Sequence, residues 1–410
     1  MDRRDLEFAC SVIVVGLLAG LAGAATILLL DFVEHLTYRF SFGSLLEGVS
    51  ESSPTRRALG PMVGAALAGC GWWLLRRKSA SVPTVDAAIA RPGPAPRAAM
   101  TVDAALQTLL VGSGASLGRE NAPRQFAVAL GDLGTSRWNL TPRDREILLG
   151  CAAGAGLAAV YSVPAGGALF ALQVVLRTWN LRAVGTALVT SSLAVATAAP
   201  VTHDQPAQHW PSPELSYLLT GVAILLAPLT LGVGLVFNRV MDAARSRARR
   251  MPGDRWLLMP ALAVAGLLVG ICSHWWPELP GNGSSVLVVS LDGSLTLAGA
   301  AVLVVLKPLL TALFLRAGGV GGLLTPALAT GAATGAVIAL AVNVWTPIQL
   351  SVPAVALACA AGVLAVTQNA PMWAAIFVWE LARPPWWLLV VFAAAALTTH
   401  HLARRLTTST

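Results

Sequence analysis

The stretch GASLGRENAP at 114–123 places an adjacent pair of charges inside one of the most apolar regions of this chain. Small residues and glycine precede Arg119 and Glu120, and a proline follows shortly after them. A second glycine-rich stretch, GGVGGLLTP at 318–326, also ends in a proline. Irregular backbone is tolerated at membrane depth only where it lines a cavity or is buried in protein. If the chain spans a membrane, the two stretches therefore predict helices that are broken inside it.

The composition indicates a membrane protein with several spans. The chain has 410 residues, of which 56% are hydrophobic and only 12% are charged, whereas soluble proteins carry about 25% charge. The longest run without charge, Ala317–Trp379, far exceeds the roughly 20 apolar residues that cross a bilayer as a helix. A soluble protein with buried helices would need polar helix faces that the sequence lacks. We therefore predict an all-α polytopic membrane protein that resides in a lipid bilayer.

The net charge of +8 is distributed in a way that suits a membrane protein and does not point to nucleic acid. Basic clusters alternate with connections that contain no Lys or Arg, such as 200–214 and 274–284. The basic clusters include Arg3–Arg4, Arg76–Lys78, Arg245–Arg250 and Arg404–Arg405. Because basic connections stay in the cytoplasm, both termini are predicted to be cytoplasmic, in the inner membrane. The cysteines and histidines lack metal-ligand spacing, so neither a metal nor a cofactor is predicted.

An internal repeat relates two parts of the chain. The tetrapeptide CAAG occurs at 151–154 and again at 359–362. Pro164 lies ten residues after the end of the first copy, and Pro371 lies nine residues after the end of the second. One shared tetrapeptide is plausible by chance in an alanine-rich chain, but matching offsets in the same order indicate two related halves. Repeated halves with interrupted helices are a recurring plan in transporters, whose site lies at the membrane midplane.

This repeat predicts the organisation of the whole chain. Residues 1–410 form a single transmembrane domain, with a first repeat half at 8–200 and a second at 213–403. The charged segment 240–255 is predicted to be a cytoplasmic hinge between or near the halves.

Three segments are candidates for helix starts that face an anion: 79–83, 118–123 and 321–326. Proline suits the first turn of a helix, where no N–H is required, so Pro123 and Pro326 predict helix starts. The free N–H groups and partial positive charge of such a start attract anions. Several converging starts would form an anion site without a full charge, which a permeant ion can also leave.

Glu120 is then a competitor for that site. Beside helix N-termini its carboxylate is held as a tethered anion, and protonation would release it. An acid inside the membrane is by default a candidate functional residue. The structural alternative is a salt bridge between Glu120 and Arg119 or another basic group.

Four motifs of the sequence resemble those of the CLC family of chloride channels and proton-coupled anion antiporters. GRENAP at 118–123 resembles the family's GREGP signature, and GGLLTPALATGAATG at 321–335 resembles GGxFxPxLxxGAxxG. GAGLAAVYSVPAGGALFALQ at 154–173 resembles GxxAGxAAxFxxPxxGxxFxxE, and KSASVPTVDAAI at 78–89 is a degraded match to GSGIPE. The resemblance implies two inverted-topology repeats with many tilted and broken helices, a homodimer, and one anion pathway per subunit.

The resemblance also implies roles for individual residues. Glu120 matches the gating glutamate. The implied anion-binding positions are Gly118, Arg119 and Asn121 at the same helix start, the backbone amides of Leu323 and Leu324, and Ala80 with its neighbours Ser79 and Ser81. Ala80 stands at the position of the family's central serine, which tunes anion preference, so chloride over nitrate or fluoride is not implied.

Other departures from the family pattern concern protons. Asn121 and Ala122 stand where the signature has a single glycine. Gln173 replaces the usual glutamate, and Val174 occupies the position of the internal proton glutamate of many antiporters.

Two mechanisms therefore remain open from sequence. Passive conduction of small inorganic anions, chiefly chloride, needs only Glu120 as a gate. Proton-coupled antiport of chloride, fluoride or nitrate needs an inward proton route, for which Asp86 and Asp103 are the candidates. Asp86 also suits a capping or dipole role in a first helical turn. A remote alternative is an intramembrane enzyme, although the chain contains no HExxH motif.

Overall fold

The computed structural model describes residues 3–40, 43–78, 82–91, 93–202, 216–250 and 255–408. Within these ranges the chain forms eighteen α-helices and no strand. They are α1 (Arg3–Tyr38), α2 (Leu45–Glu51), α3 (Pro54–Lys78), α4 (Val85–Ala90), α5 (Arg97–Gly112), α6 (Asn121–Thr135), α7 (Pro142–Tyr161), α8 (Pro164–Phe170), α9 (Leu181–Thr202), α10 (Tyr217–Leu225), α11 (Ala227–Arg250), α12 (Leu258–Cys272), α13 (Ser284–Leu291), α14 (Leu297–Arg316), α15 (Leu324–Trp345), α16 (Val352–Thr367), α17 (Pro371–Ala382) and α18 (Leu388–Thr408).

Several helices are long and apolar enough to cross a bilayer. Among the described residues, α1, α3, α9, α14 and α15 meet this condition singly, and α10 with α11 forms a sixth candidate span that bends by 47°. Large apolar side chains on the outside, such as Leu181 at 90% and Leu225 at 77% exposed, are suited to lipid and not to water. The predicted all-α polytopic membrane architecture is confirmed.

The two copies of the sequence repeat have the same local structure. α7, which contains the first CAAG copy, ends before Ser162, a left-handed residue with φ of 54°. α16, which contains the second copy, ends near Asn369, which also has φ of 54°. In each case a proline then begins the next helix, α8 or α17. A break enforced by proline thus follows the same buried segment twice.

The described chain also divides into two compact units by its internal contacts. The first comprises Met1–Phe32, Gly71–Thr108 and Arg119–Pro206, and the second comprises Val33–Cys70, Leu109–Gly118 and Ala207–Thr410. These bounds differ from the predicted halves 8–200 and 213–403, because 33–70 and 109–118 pack with the second unit. The division into repeat halves stays a prediction.

The predicted hinge at 240–255 is mostly helical where it is described. Residues 240–250 complete α11, and a short 3₁₀ turn at Arg255–Leu257 precedes α12. No proline or glycine occurs in 240–250 to break the helix, so the charged sequence extends α11 beyond its apolar part. Residues 251–254 lie outside the described ranges.

Within the first unit, glycines bring α6, α7 and α8 into backbone contact. A Cβ at Gly156 of α7 would lie 2.5 Å from the carbonyl oxygen of Pro123 in α6. A Cβ at Gly154 would lie 2.4 Å from the carbonyl oxygen of Gly167 in α8. Small residues at helix crossings permit this close approach in membrane proteins. The start of α6 is therefore fixed against the middle of α7.

Candidate functional site

The start of α6 has no side-chain cap. α6 begins at Asn121, and Glu120 occupies the N-cap position without a capping hydrogen bond from its side chain. Pro123 is the third helical residue, so it lies in the first turn, as the sequence predicts. The first-turn N–H groups have no partner within a helix and give this end a partial positive charge.

Glu120 is buried at this helix start, with only 2% of its surface exposed. The hydroxyl of Tyr161, at the end of α7, lies 3.5 Å from Oε2 of Glu120 and is oriented to donate to it. A buried carboxylate at a helix N-terminus is the arrangement expected of a tethered anion.

The side chain of Arg119 lies against an aromatic ring instead of forming a salt bridge with Glu120. Its guanidinium Cζ lies 4.9 Å from the centre of the Tyr161 ring, and in the described part of the chain Arg119 forms no ion pair. The alternative in which Arg119 and Glu120 simply neutralise each other is therefore absent from this structure.

The second glycine-rich stretch leads to a similar helix start. α15 begins at Leu324, and Leu323 occupies its N-cap position, again without a side-chain cap. Gly118 and Gly322 exchange two backbone hydrogen bonds, of 2.8 and 2.9 Å, in an isolated antiparallel bridge. The two glycine-rich stretches of the sequence are thus paired through their backbones, each directly before a proline-containing helix start.

The third predicted helix start differs from these two. α4 begins at Val85, later than Pro83 suggests, and the side chain of Thr84 caps it by accepting a hydrogen bond of 3.3 Å from the N–H of Ala87. Asp86 is exposed in the first turn, where it complements the helix dipole. Ser79, Ala80 and Ser81 lie outside the described residues.

Asp103 is buried on α5 and accepts three hydrogen bonds. The donors are Nε1 of Trp72 at 2.7 Å, Nε2 of Gln107 at 2.7 Å and Nε2 of Gln125 at 3.0 Å. The other end of Gln107, its Oε1, accepts a hydrogen bond of 2.8 Å from Nδ2 of Asn121. Every hydrogen bond to Asp103 is donated by its neighbour, which matches the acceptor-only pattern of an ionised carboxylate. The network ends at Asn121, the residue after Glu120.

Our sequence interpretation did not identify Gln107, Gln125 and Tyr161 as site residues. The available signal was spacing: Asp103 and Gln107 are four apart on α5, and Asn121 and Gln125 are four apart on α6. Polar residues at i and i+4 share one helix face, which is unusual on otherwise apolar helices. Tyr161 had no such signal, because only the packing of α7 on α6 brings it to Glu120.

Gln173 and Val174 lie in a π-helical turn, Ala171–Val175, that continues α8. Both residues are half-buried, and neither can carry a proton as a carboxylate does. π-helical turns often occur at functional sites. No group of three His, Cys, Asp or Glu side chains suitable for a metal occurs among the described residues.

Comparisons with known proteins agree with this architecture. The chain is similar to the voltage-gated ClC-type chloride channel ClcB of Escherichia coli O17:K52:H18 (strain UMN026), at 27% identity over 374 residues, covering 90% of this chain and 89% of that protein. It has the same similarity, 27% over 378 residues, to ClcB of Citrobacter koseri, with coverage of 90% and 89%.

Solved structures with the same fold include a slow cyanobacterial Cl−/H+ antiporter, with a TM-score of 0.83, 18% identity and coverage of 98% of this chain and 95% of that one. A CLC-type fluoride/proton antiporter follows, with a TM-score of 0.76, 18% identity and coverage of 97% and 95%. The family model described as voltage gated chloride channel matches residues 63–404. Because this match covers most of the chain, the protein belongs to the voltage-gated chloride channel, or CLC, family.

Proposed function

We propose that this protein exchanges small inorganic anions (chloride, fluoride or nitrate) for protons, with Glu120 as the gate. The observation that carries the proposal is the buried carboxylate of Glu120 at the uncapped start of α6. Similarity to structures described as Cl−/H+ and fluoride/proton antiporters supports the exchange mechanism. Family membership sets the enzyme alternative aside.

In this mechanism the Glu120 carboxylate and the transported anion compete for the same positive helix end. Gly118, Arg119 and Asn121 at that end, and the backbone amides of Leu323 and Leu324, are the proposed anion contacts. Protonation of Glu120 removes its attraction to the dipole, so the side chain leaves and an anion enters. Each exchange of carboxylate for anion is thereby linked to one protonation of the gate.

Asp103 is the proposed internal proton acceptor. Of the two candidate acids it is the buried one, and hydrogen bonds connect it through Gln107 to Asn121, next to the gate. Asp86 is exposed and serves its own helix start. Water would complete the route between Asp103 and Glu120, since amide side chains alone do not pass protons.

Passive anion conduction is the second candidate function, and Val174 favours it. A family member without a carboxylate at 173–174 lacks the usual inner proton group. The ClcB relatives, which are named chloride channels, point the same way. In this case Glu120 gates the pathway but moves no protons against a gradient.

The deciding experiment reconstitutes the full chain in liposomes and records chloride efflux and proton flux together. Antiport predicts uphill proton movement driven by the chloride gradient, whereas chloride flux without proton movement supports passive conduction. Glu120→Gln should abolish the proton flux, because an amide does not take up a proton at the pH of the assay. It should also change the rate of chloride flux. Asp103→Asn should reduce proton flux more than chloride flux.

Glu146→Gln is the matched control, because Glu146 is an exposed acid on α7. Its replacement should leave both fluxes unchanged. Chloride flux that is the same in wild type and Glu120→Gln would refute the gate, and proteoliposomes with no anion flux at all would refute the transport function.

The remaining proposals follow from charge and resemblance. We place the protein in the inner membrane with both termini in the cytoplasm, supported by the basic clusters, and assign it a homodimeric state from its family. Its only ligands in this proposal are the transported anion and protons, without a cofactor or nucleic acid.

A further inference from the structure

Arg124 is a cation that the transport proposal does not use. It follows Pro123 in the first turn of α6, four residues after Glu120. Its guanidinium Cζ lies 4.6 Å from the centre of the Phe170 ring, at the end of α8. Nε is shielded from solvent and has no hydrogen-bond acceptor. Throughout the described ranges, Arg124 forms neither a hydrogen bond nor an ion pair.

The surroundings of Arg124 stabilise its positive charge but offer no acceptor to its hydrogen-bond donors. Arginine keeps its charge in proteins and presents five N–H donors. The face of the Phe170 ring attracts the cation but offers no acceptor to those donors. Asp86 and Glu120 are the acids that favour its charge electrostatically, yet neither comes within the 4.0 Å of an ion pair with Arg124. The donors of the guanidinium are therefore available to a ligand.

An unpaired charge within a membrane domain is unfavourable in free energy. Arginine within a membrane domain is rare, and it normally pairs or marks an ion pathway. Arg124 also stands at the positive end of the α6 dipole, so two positive features lie together. The carboxylate of Glu120 offsets both while it is held there. When the gate is displaced, an incoming anion would take over that compensation.

We propose that Arg124 binds the transported anion directly and that it selects for a planar oxyanion such as nitrate over a spherical halide. The guanidinium is a planar fork whose parallel N–H groups match two oxygens of a planar anion in the plane of the fork. A halide offers a single centre, so it benefits from the charge but not from the fork. The proposal deepens the anion-transport function and rests on it for its role in the pathway.

Binding measurements on the purified full-length protein test this assignment without relying on transport. Isothermal titration with sodium nitrate and with sodium chloride gives the two affinities. Arg124→Gln should weaken nitrate binding about tenfold, equivalent to about 1.4 kcal/mol, and chloride binding less. Arg124→Lys keeps the charge but removes the fork, so chloride affinity should stay near wild type while nitrate affinity falls.

Arg143→Gln is the matched control, because Arg143 also lies in the first turn of a helix, α7, but is exposed. It should leave both affinities unchanged. The proposal is overturned if the wild type does not bind nitrate, if Arg124→Gln binds nitrate as well as the wild type, or if Arg124→Lys keeps the full nitrate preference. If Arg124→Gln does not fold, the lysine variant alone decides the outcome.

Flux measurements distinguish failure of the Arg124 proposal from failure of the anion-transport proposal on which it rests. Wild-type liposomes that pass anions, together with a nitrate-to-chloride flux ratio unchanged in Arg124→Lys, would refute the role of Arg124 and leave anion transport intact. Nitrate binding that depends on Arg124, in a protein that passes no anion through liposomes, would refute the transport function and leave the binding site intact.

Discussion

Buried charged residues in this protein are held by different kinds of partner, which separates structural from functional charges. Lys307 is fully buried on α14, where Nζ donates to the carbonyl oxygens of Leu279 and Gly281 at 2.8 and 2.7 Å. Asp132 at the end of α6 is bound by Arg97 and Arg145. Because Lys307 and Asp132 have these partners within the fold, we interpret them as structural. Arg124, which is half-buried, forms no ion pair among the described residues.

Glu278 is a half-buried acid in the connection between α12 and α13. Its Oε2 is shielded from solvent and, among the described residues, has no hydrogen-bond partner. Burial raises the pKa of the Glu278 carboxyl above its ordinary value, although its own backbone N–H acts in the opposite direction. A raised pKa means that the folded protein binds this proton more tightly than the unfolded chain, so stability falls as the carboxyl ionises.

Replacing Glu278 by Gln should therefore stabilise the protein at neutral pH. The amide has no charge to desolvate, so the melting temperature of Glu278→Gln should exceed that of wild type at pH 7. The difference should shrink as the pH falls below about 4, where the carboxyl becomes protonated in the unfolded chain as well as in the folded protein. Thermal unfolding in detergent at several pH values measures this. A difference independent of pH, or a lower melting temperature at pH 7, would contradict the assignment.

At the scale of elements, the contact of α6 with α7 positions Glu120, the proposed gate. A Cβ at Gly156 would meet the carbonyl oxygen of Pro123 at 2.5 Å and Cβ of Ala127 at 2.8 Å. Both atoms are fixed to the backbone of α6, so an added Cβ could be accommodated only if the first turn of α6 moved. The position of Glu120, the proposed gate, therefore depends on a residue of α7 that contributes no side chain.

Gly156→Ala should displace α6 and lower stability by about 1–3 kcal/mol, the usual cost of overpacking. Chloride flux should fall with it, since the start of α6 moves. Gly185→Ala on α9 is the matched control, because a Cβ there meets nothing within 4 Å and alanine is the better helix former. Its melting temperature should equal or exceed that of wild type. An unchanged melting temperature in Gly156→Ala would show that α6 and α7 are not so closely packed.

At the scale of the whole molecule, the distribution of basic residues predicts orientation. The cluster Arg404–Arg405 near the end of α18 predicts that the C-terminus lies in the cytoplasm. A fusion of alkaline phosphatase to the C-terminus should be inactive, because that enzyme is active only outside the cytoplasm. A fusion within 200–214, which contains no Lys or Arg, should be active. The reverse pattern of activities would invert the proposed topology.

Much of the fold could be predicted from patterns along the chain. The apolar runs gave the membrane class, and the prolines at 123 and 326 correctly predicted two helix starts. The start of α4 was less accurate, because Thr84 caps it two residues beyond the position that Pro83 suggests. The compact units were not predictable either, since the packing of 33–70 and 109–118 with the second unit depends on contacts distant in sequence.

The sequence by itself determined the membrane class and the family and predicted the gate, because periodicity, charge and short motifs are local properties of a chain. Only the tertiary structure decided which groups surround that gate. Tyr161 reaches Glu120, Gln107 connects Asp103 to Asn121, and Arg124 lies over Phe170 without an acceptor. Tyr161 reaches Glu120 because the close packing of α7 on α6 at Gly156 sets the distance between these helices. Packing of that kind arises from the combined shape of several helices, which no single segment encodes.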